Sequence, residues 1–138
     1  MKYSVGLDLG GTKLAAALVD SDGQILSFRK ESILDLKSDS SALRGQKKIV
    51  ELMADIVQGF QQRFPKAFQK KNFVGVGLAC AGPLNVETGC LVHPVNFPGW
   101  KIVPIQKMLI AELQKRKIKT KVSFQNDAVA AAYAEGWI

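Results

Sequence analysis

The chain has 138 residues, 47% of them hydrophobic and 22% charged, a balance that suits one folded domain with a real core and not a disordered or fibrous chain. No apolar run approaches the ~18 residues of a membrane span, and Asp8 interrupts the N-terminal apolar stretch where a signal peptide needs an unbroken one, so the expected compartment is the cytoplasm with no membrane partner. Nineteen Lys and Arg against twelve Asp and Glu give a net charge of +7, which raises the question of a polyanionic partner.

Lys2 to Leu9 reads as a strand and Lys13 to Val19 as a second, joined by a tight turn on Gly10 and Gly11. A turn at Ser21-Asp22-Gly23 leads to a third strand over Gln24 to Lys30. Residues 35 to 47 are polar and are expected to form a loop. The strongest periodicity follows. Ile49, Leu52, Met53, Ile56, Val57, Phe60 and Phe64 fall on one face of a 3.6-residue helix that Pro65 ends. Asn72 to Ala79 (NFVGVGLA) is almost continuously apolar, as a central strand buried on both faces would be. Next come an irregular Gly- and Pro-rich stretch, a helix over Pro104 to Lys115 with Pro104 in its first turn, a strand over Thr120 to Phe124, and an Ala-rich helix over Ala128 to Glu135. The order β-β-β-α-β-α-β-α predicts an α/β domain. Three antiparallel strands followed by crossover units make a mixed five-stranded sheet with helices on its faces.

The basic residues gather at Lys66, Lys70, Lys71 and at Lys115, Arg116, Lys117, Lys119, Lys121, beside predicted helix ends where cations suit the helix dipole. No aromatic residue interleaves the second group, as a single-strand binder would require; a solvated face is expected and no nucleic acid. Cys80, Cys90 and the single His93 are too few for a disulfide framework or a zinc site, so both cysteines are expected as reduced thiols and His93 as a structural residue.

Three segments stand out chemically. In DLGGT, glycines allow a turn to approach a ligand closely and to present amides to an anion. Thr12 adds a hydroxyl, and Asp8, a carboxylate at the end of a buried strand, is costly unless it is paired or meets a cation such as magnesium. An ordinary Gly-Gly hairpin turn is the competing explanation. In GVGLACAGPLN, a strand runs into Ala81-Gly82-Pro83, either a plain turn or a ligand-facing carboxyl edge of the sheet. In SFQNDAVAAAYAE, Asn126 and Asp127 lie between a strand and a helix. Either residue suits a helix N-cap, and the pair equally suits a hydroxyl contact beside a general base. Between the last two, Asn96 and Trp100 in HPVNFPGW suit a binding loop.

GLDLGGTK (residues 6–13), GVGLACAGPL (75–84), ETGCLVHPVNFPGW (87–100) and FQNDAVAAAYAEG (124–136), in this order and spacing, resemble the ROK family of repressors, open reading frames and sugar kinases. That family is a branch of the actin-like, ribonuclease-H-like ATPases. The resemblance implies a ribonuclease-H-like lobe that acts with ATP and magnesium on a hexose. By position, Asp8, Leu9, Gly10, Gly11, Thr12 and Lys13 correspond to the first phosphate-binding turn, with Asp8 near the magnesium. Gly82 and Pro83 correspond to a segment touching the sugar, Asn96 to a loop residue near it, Asn126 to a hydroxyl contact and Asp127 to the catalytic base. Gln125 and Val129 stand where family members often have Glu and Asn, and Cys80 where other small residues are usual. The Asn-Asp pair is intact, and the identity of the sugar stays open.

The resemblance further implies that residues 1–138 are a single N-terminal lobe. The C-terminal lobe, with more sugar contacts, a zinc site and a second nucleotide segment, is expected outside this chain, so zinc would belong there and this chain alone would be inactive. With Met1 directly before the first strand, the helix-turn-helix of the family's repressors is not expected. A homo-oligomer is left open. The expected function is an ATP-dependent, glucokinase-like sugar kinase. A non-catalytic sugar-sensing regulator is the alternative, disfavoured because Asp127 is present. A structural actin-like or chaperone ATPase would have no use for NFPGW together with QND.

Overall fold

Alternating apolar and polar side chains fold the first thirty residues into a meander. The computed structural model, which describes residues 1–126, contains β1 (Tyr3–Leu9), β2 (Lys13–Asp20) and β3 (Ile25–Ser32), each antiparallel to the next. The chain continues through α1 (Leu34–Lys37), α2 (Ala42–Arg63), β4 (Phe73–Cys80), the short strands β5 (Leu84–Asn85), β6 (Cys90–Val92) and β7 (Ile102–Val103), α3 (Ile105–Lys115) and β8 (Val122–Gln125). The helix expected over Ala128 to Glu135 lies outside the described residues.

The main sheet has the order β3-β2-β1-β4-β8, with β4 parallel to β1 and β8 parallel to β4. This is the mixed five-stranded sheet that the element order predicts, and β4 is an interior, largely buried strand, flanked by β1 and β8. Strand register lines apolar residues in rows on one face: Leu18, Val5, Val76 and Val122, then Ala16, Leu7, Leu78 and Phe124. These rows, the stripe of α2 and Ile105, Leu109 and Leu113 of α3 form one apolar cluster. The other face carries small or polar residues, among them Ser4, Gly6, Asp8, Ala15, Ala17, Gly77, Ala79, Ser123 and Gln125. Both long helices bury their apolar residues in the one cluster, so the described helices serve a single core.

Residues 35–47, expected as a loop, instead hold α1 and the first turns of α2. Polarity there reflects an exposed helix start. The Ser41 Oγ accepts from Arg44 N at 3.2 Å and caps α2. Asp39 accepts from the Ser41 amide and pairs with Arg44 and Lys48. The Arg44 hydrogen bond, and then the Ser41 amide, hold the Asp39 carboxyl well below the usual carboxylate range. The stretch after β4, expected as irregular, contains a second sheet of order β5-β6-β7, whose strands of two or three residues are too short to show a period. Pro104 is the N-cap of α3, one position before its first turn. At the other end of α3, Arg116 binds Glu112 and Asp55 and ties α3 to α2. Cys80 and Cys90 are free thiols. Among the described residues no helix is long and apolar enough to cross a membrane.

Gly45 explains how α1 reaches α2. A methyl group there would stand 2.6 Å from the Leu36 carbonyl oxygen, a backbone atom with no freedom to step aside. At Gly59, in the same helix, nothing lies within 4 Å of that position. Helix propensity favours Ala over Gly by ~1 kcal/mol at both sites. Gly59→Ala is therefore expected to stabilise the protein by about that amount. In Gly45→Ala the overpacking cost of ~1–3 kcal/mol reverses the sign. Urea unfolding of the two variants checks this, and an equal gain at both positions would refute the docking of α1 on Gly45.

Candidate functional site

Because β1, β4 and β8 are parallel, their carboxyl ends lie along one edge of the sheet, where open α/β sheets bind ligands. Each of the chemically suggestive segments emerges there. The first is the turn between β1 and β2. Gly10 N donates to Lys13 O at 2.9 Å, which leaves Gly11 and Thr12 at the tip. Among the described residues neither the Gly11 nor the Thr12 amide has a backbone acceptor. Neither glycine has a positive φ, so what Gly11 supplies is space. A methyl group on it would stand 3.0 Å from the Asn96 Cγ and 3.2 Å from its Nδ2. The Asn96 loop, 85 residues further along, thus packs directly on the turn.

The remaining residues of the turn divide by exposure. Thr12 and Lys13 are exposed. Leu9 is wholly buried in the core; its carbonyl oxygen accepts from Ala81 N at 3.3 Å, so it joins the turn to the segment after β4. Asp8 corrects the expectation of a buried charge. It lies on the face opposite Leu7 and Leu9, its register neighbours are Ala15 and Ala79, and their short side chains leave it exposed. There is no desolvation penalty to explain, and among the described residues Asp8 has no ion-pair partner. It does act on the neighbouring strand: burial first, and the Asp8 charge second, push the Cys80 thiol up, which keeps it protonated.

The second segment is Ala81-Gly82-Pro83, with a cis Gly82–Pro83 peptide and an exposed proline. A methyl group on Gly82 would stand 3.7 Å from the Asn126 Oδ1. The third segment therefore sits beside the second, with Asn126 exposed directly after β8. Asp127 lies outside the described residues. In the HPVNFPGW loop, Asn96 is exposed, whereas Trp100 is 3% exposed and stacks on Phe97 with ring centroids 4.3 Å apart. Trp100 anchors the loop in the core, which corrects its expected place on a binding surface. His93 is exposed with a positive φ, and its amide donates to Lys101 O at 2.8 Å.

One residue at this edge had no signal in the sequence. Lys37, at the end of α1, donates from Nζ to Gly11 O at 2.6 Å and to Asn96 O at 2.8 Å. It is one of nineteen basic residues and lies in a stretch that reads as loop, so nothing local distinguishes it. The two lysine groups are elsewhere. Lys70 and Lys71 precede β4, and Lys119 and Lys121 precede β8, all exposed at the amino-terminal edge of the sheet, opposite Gly11 and Gly82.

The chain is similar to known proteins in sequence and in fold. The model of the ROK family matches residues 4–138. The glucokinase of Halalkalibacterium halodurans is 29% identical over 137 residues, 99% of this chain and 37% of the relative. The glucokinase of Thermotoga maritima is 32% identical over 133 residues, 96% of this chain and 36% of the relative. The chain thus spans little more than a third of the length of these curated relatives. A crystal structure of a ROK family glucokinase from Streptomyces griseus in complex with glucose and AMPPNP matches with a TM-score of 0.66 at 26% identity, covering 98% of this chain and 36% of that one. The α/β fold with its mixed five-stranded sheet is the actin-like ATPase fold of the ROK kinases.

The contact between Gly11 and Asn96 is directly testable. Gly11→Val is expected to destabilise the protein by pressing on the Asn96 side chain, and Asn96→Ala to relieve that pressure. The double variant should then melt above the sum of the two single effects, with a coupling of ~0.5–3 kcal/mol. Strictly additive melting temperatures would refute the contact.

Proposed function

The chain belongs to the ROK family, and on that premise we propose that it forms the part of an ATP-dependent sugar kinase that holds the nucleotide phosphates and the sugar. The reaction is transfer of the γ-phosphoryl of MgATP to a hexose hydroxyl, with Asp127 as the general base. The observation that carries this reading is the meeting of separate segments at one sheet edge: Asn96 packs on Gly11, and Asn126 stands beside Gly82. The names of the relatives, both glucokinases, and the glucose and AMPPNP in the Streptomyces griseus complex support the choice of substrates.

The residues present fit the roles. The open amides of Gly11 and Thr12, with the Thr12 hydroxyl and the exposed Lys13, offer donors to phosphate oxygens. Among the described residues no three His, Cys, Asp or Glu side chains cluster as a metal cage. Asp8 would therefore meet magnesium as a single carboxylate, with phosphates and water completing the shell, the usual way this ion is held. Gly82, Pro83, Asn96 and Asn126 would contact the sugar. Asn126 orients a hydroxyl whose oxygen attacks the γ-phosphorus; the bond to the β–γ bridging oxygen breaks, ADP leaves, and Asp127 takes the hydroxyl proton. Little covalent chemistry is asked of the protein, so positioning and charge carry the rate.

Two measurements test this reading. Residues 1–138 alone, about a third of the relatives' length, should give no turnover in a coupled hexokinase assay, since a half-built cleft loses the effective concentration that a closed site provides; rates of roughly 1 s⁻¹ or more would contradict it. In the full-length protein, Asp127→Asn should lower kcat by ~10²–10⁴-fold with a nearly unchanged melting temperature, because Asn also caps helices. If Asp127 is only a cap, Asp127→Asn turns over normally and Asp127→Ala loses ~1 kcal/mol of stability, an outcome that would leave a sugar-sensing module.

A further inference from the structure

We propose that Lys37 is a positioning residue whose ammonium ties the Gly11 turn to the Asn96 loop, holding the segments assigned to nucleotide and to sugar in one geometry. The assignment of those two segments rests on the function proposed above; the tie itself rests on distances. An ammonium has three donors and no acceptor. Two of the three are spent on carbonyl oxygens of segments far apart in the chain, Gly11 O at 2.6 Å and Asn96 O at 2.8 Å. The Phe97 ring lies 5.4 Å from Nζ, within cation–π reach. Among the described residues Lys37 has no carboxylate partner, so it is not one half of a surface ion pair.

The surrounding structure delivers Lys37 to this place. Ile33 is wholly buried, and its amide donates to Thr12 O at 2.9 Å, so the chain entering α1 is fixed on the same turn. Four residues later, one helical turn on, Lys37 comes back to that turn. Gly45 lets the end of α1 lie close against α2. On the loop side, the buried Phe97–Trp100 stack fixes the base and leaves exposed Asn96 at the tip for Lys37 to hold.

The tie also affects the donor strength of the turn. Gly11 C=O and Thr12 N–H belong to one planar peptide unit and point in opposite directions. A cation bonded to the oxygen fixes that plane, aims the Thr12 N–H away from Lys37, and polarises it toward an anion. The same ammonium thus orients a phosphate donor and places Asn96 against the sugar side. Loss of the tie should weaken both substrates together, which a residue serving only the stability of α1 would not do.

The experiment compares wild type, Lys37→Met and Lys37→Arg in the full-length protein. Met keeps the aliphatic stem and removes the donors; Arg keeps a cation. Lys37→Met is expected to raise the Michaelis constants for ATP and for hexose together, each by about tenfold, the scale of a lost charge-assisted hydrogen bond, and Lys37→Arg to restore both to within about threefold. Hydrogen exchange without substrate should speed up at residues 10–13 and 95–98 in Lys37→Met. Arg116→Met, which loosens α3 from α2, should lower the melting temperature while leaving both Michaelis constants unchanged. Unchanged exchange at the two segments, or faster exchange confined to residues 34–38, would overturn the proposal, as would faster exchange with unmoved Michaelis constants. A wild type that transfers no phosphoryl group would overturn the kinase reading alone, because exchange at the two segments still decides the tie.

Discussion

Parallel pairing of β1, β4 and β8 is the constraint on which the candidate site depends. Leu9 lies opposite Cys80, and Ala79 opposite Gln125, so three chain segments leave the sheet at one edge. Neighbouring strands are about 4.8 Å apart, which puts the exits from β1 and β8 within about 10 Å of each other, the scale of a sugar beside a phosphate. Gly11, Gly82 and Asn126 are 44 to 115 positions apart in the chain, and the sheet alone makes them neighbours. The parallel strands at its centre are held in place from the face that is packed. The buried rows built on Leu7 and Leu78, together with α2 and α3, form that packing and so keep the edge in place.

The two faces of the sheet have different work. Large residues on one face form the core; glycines, alanines and serines on the other keep the surface low. Asp8 illustrates the consequence. Between Ala15 and Ala79 its carboxylate stays exposed without an ion-pair partner among the described residues, available to a cation, although the strand that carries it is the central one of five. Burying Asp8 would have cost several kcal/mol. The small neighbours avoid that cost while keeping the carboxylate at a fixed point in the sheet.

Rigidity at the edge comes from parts that do not touch a ligand in the proposed reaction. Phe97 and Trp100 bury the base of the Asn96 loop, Ile33 fixes α1 to Thr12, and Gly45 admits α1 to the surface of α2. Lys37 closes this chain of contacts. Placement of functional side chains by locked supporting contacts is the general condition for a site that works by orientation.

Much of the fold was legible from residues 1–126. The five main strands, α2 and α3 each carry a local signal, a helical period in α2, an apolar run in β4 and bounding turns or prolines elsewhere, and their boundaries fall within a few residues of the expected ones; α2 is the exception, starting earlier because its first turns are polar. The motif segments were legible for a different reason: glycine, proline, Asn and Asp occur there in combinations with specific backbone or hydrogen-bonding uses. The strands β5 to β7 and α1 were not legible, since elements of two to four residues carry no period. The exposure of Asp8, the burial of Trp100 and the place of Lys37 were not legible either. Each is set by tertiary contacts, by Ala79 across the sheet, by the core that receives Trp100, and by Gly11 and Asn96. The sequence by itself determined which segments are strands, helices and special turns, because those follow from local period and backbone chemistry. Only the tertiary structure decided which of those segments meet, because a hydrogen bond from Lys37 to Gly11 or a contact of Asn96 on a missing Cβ exists only after the strands have paired.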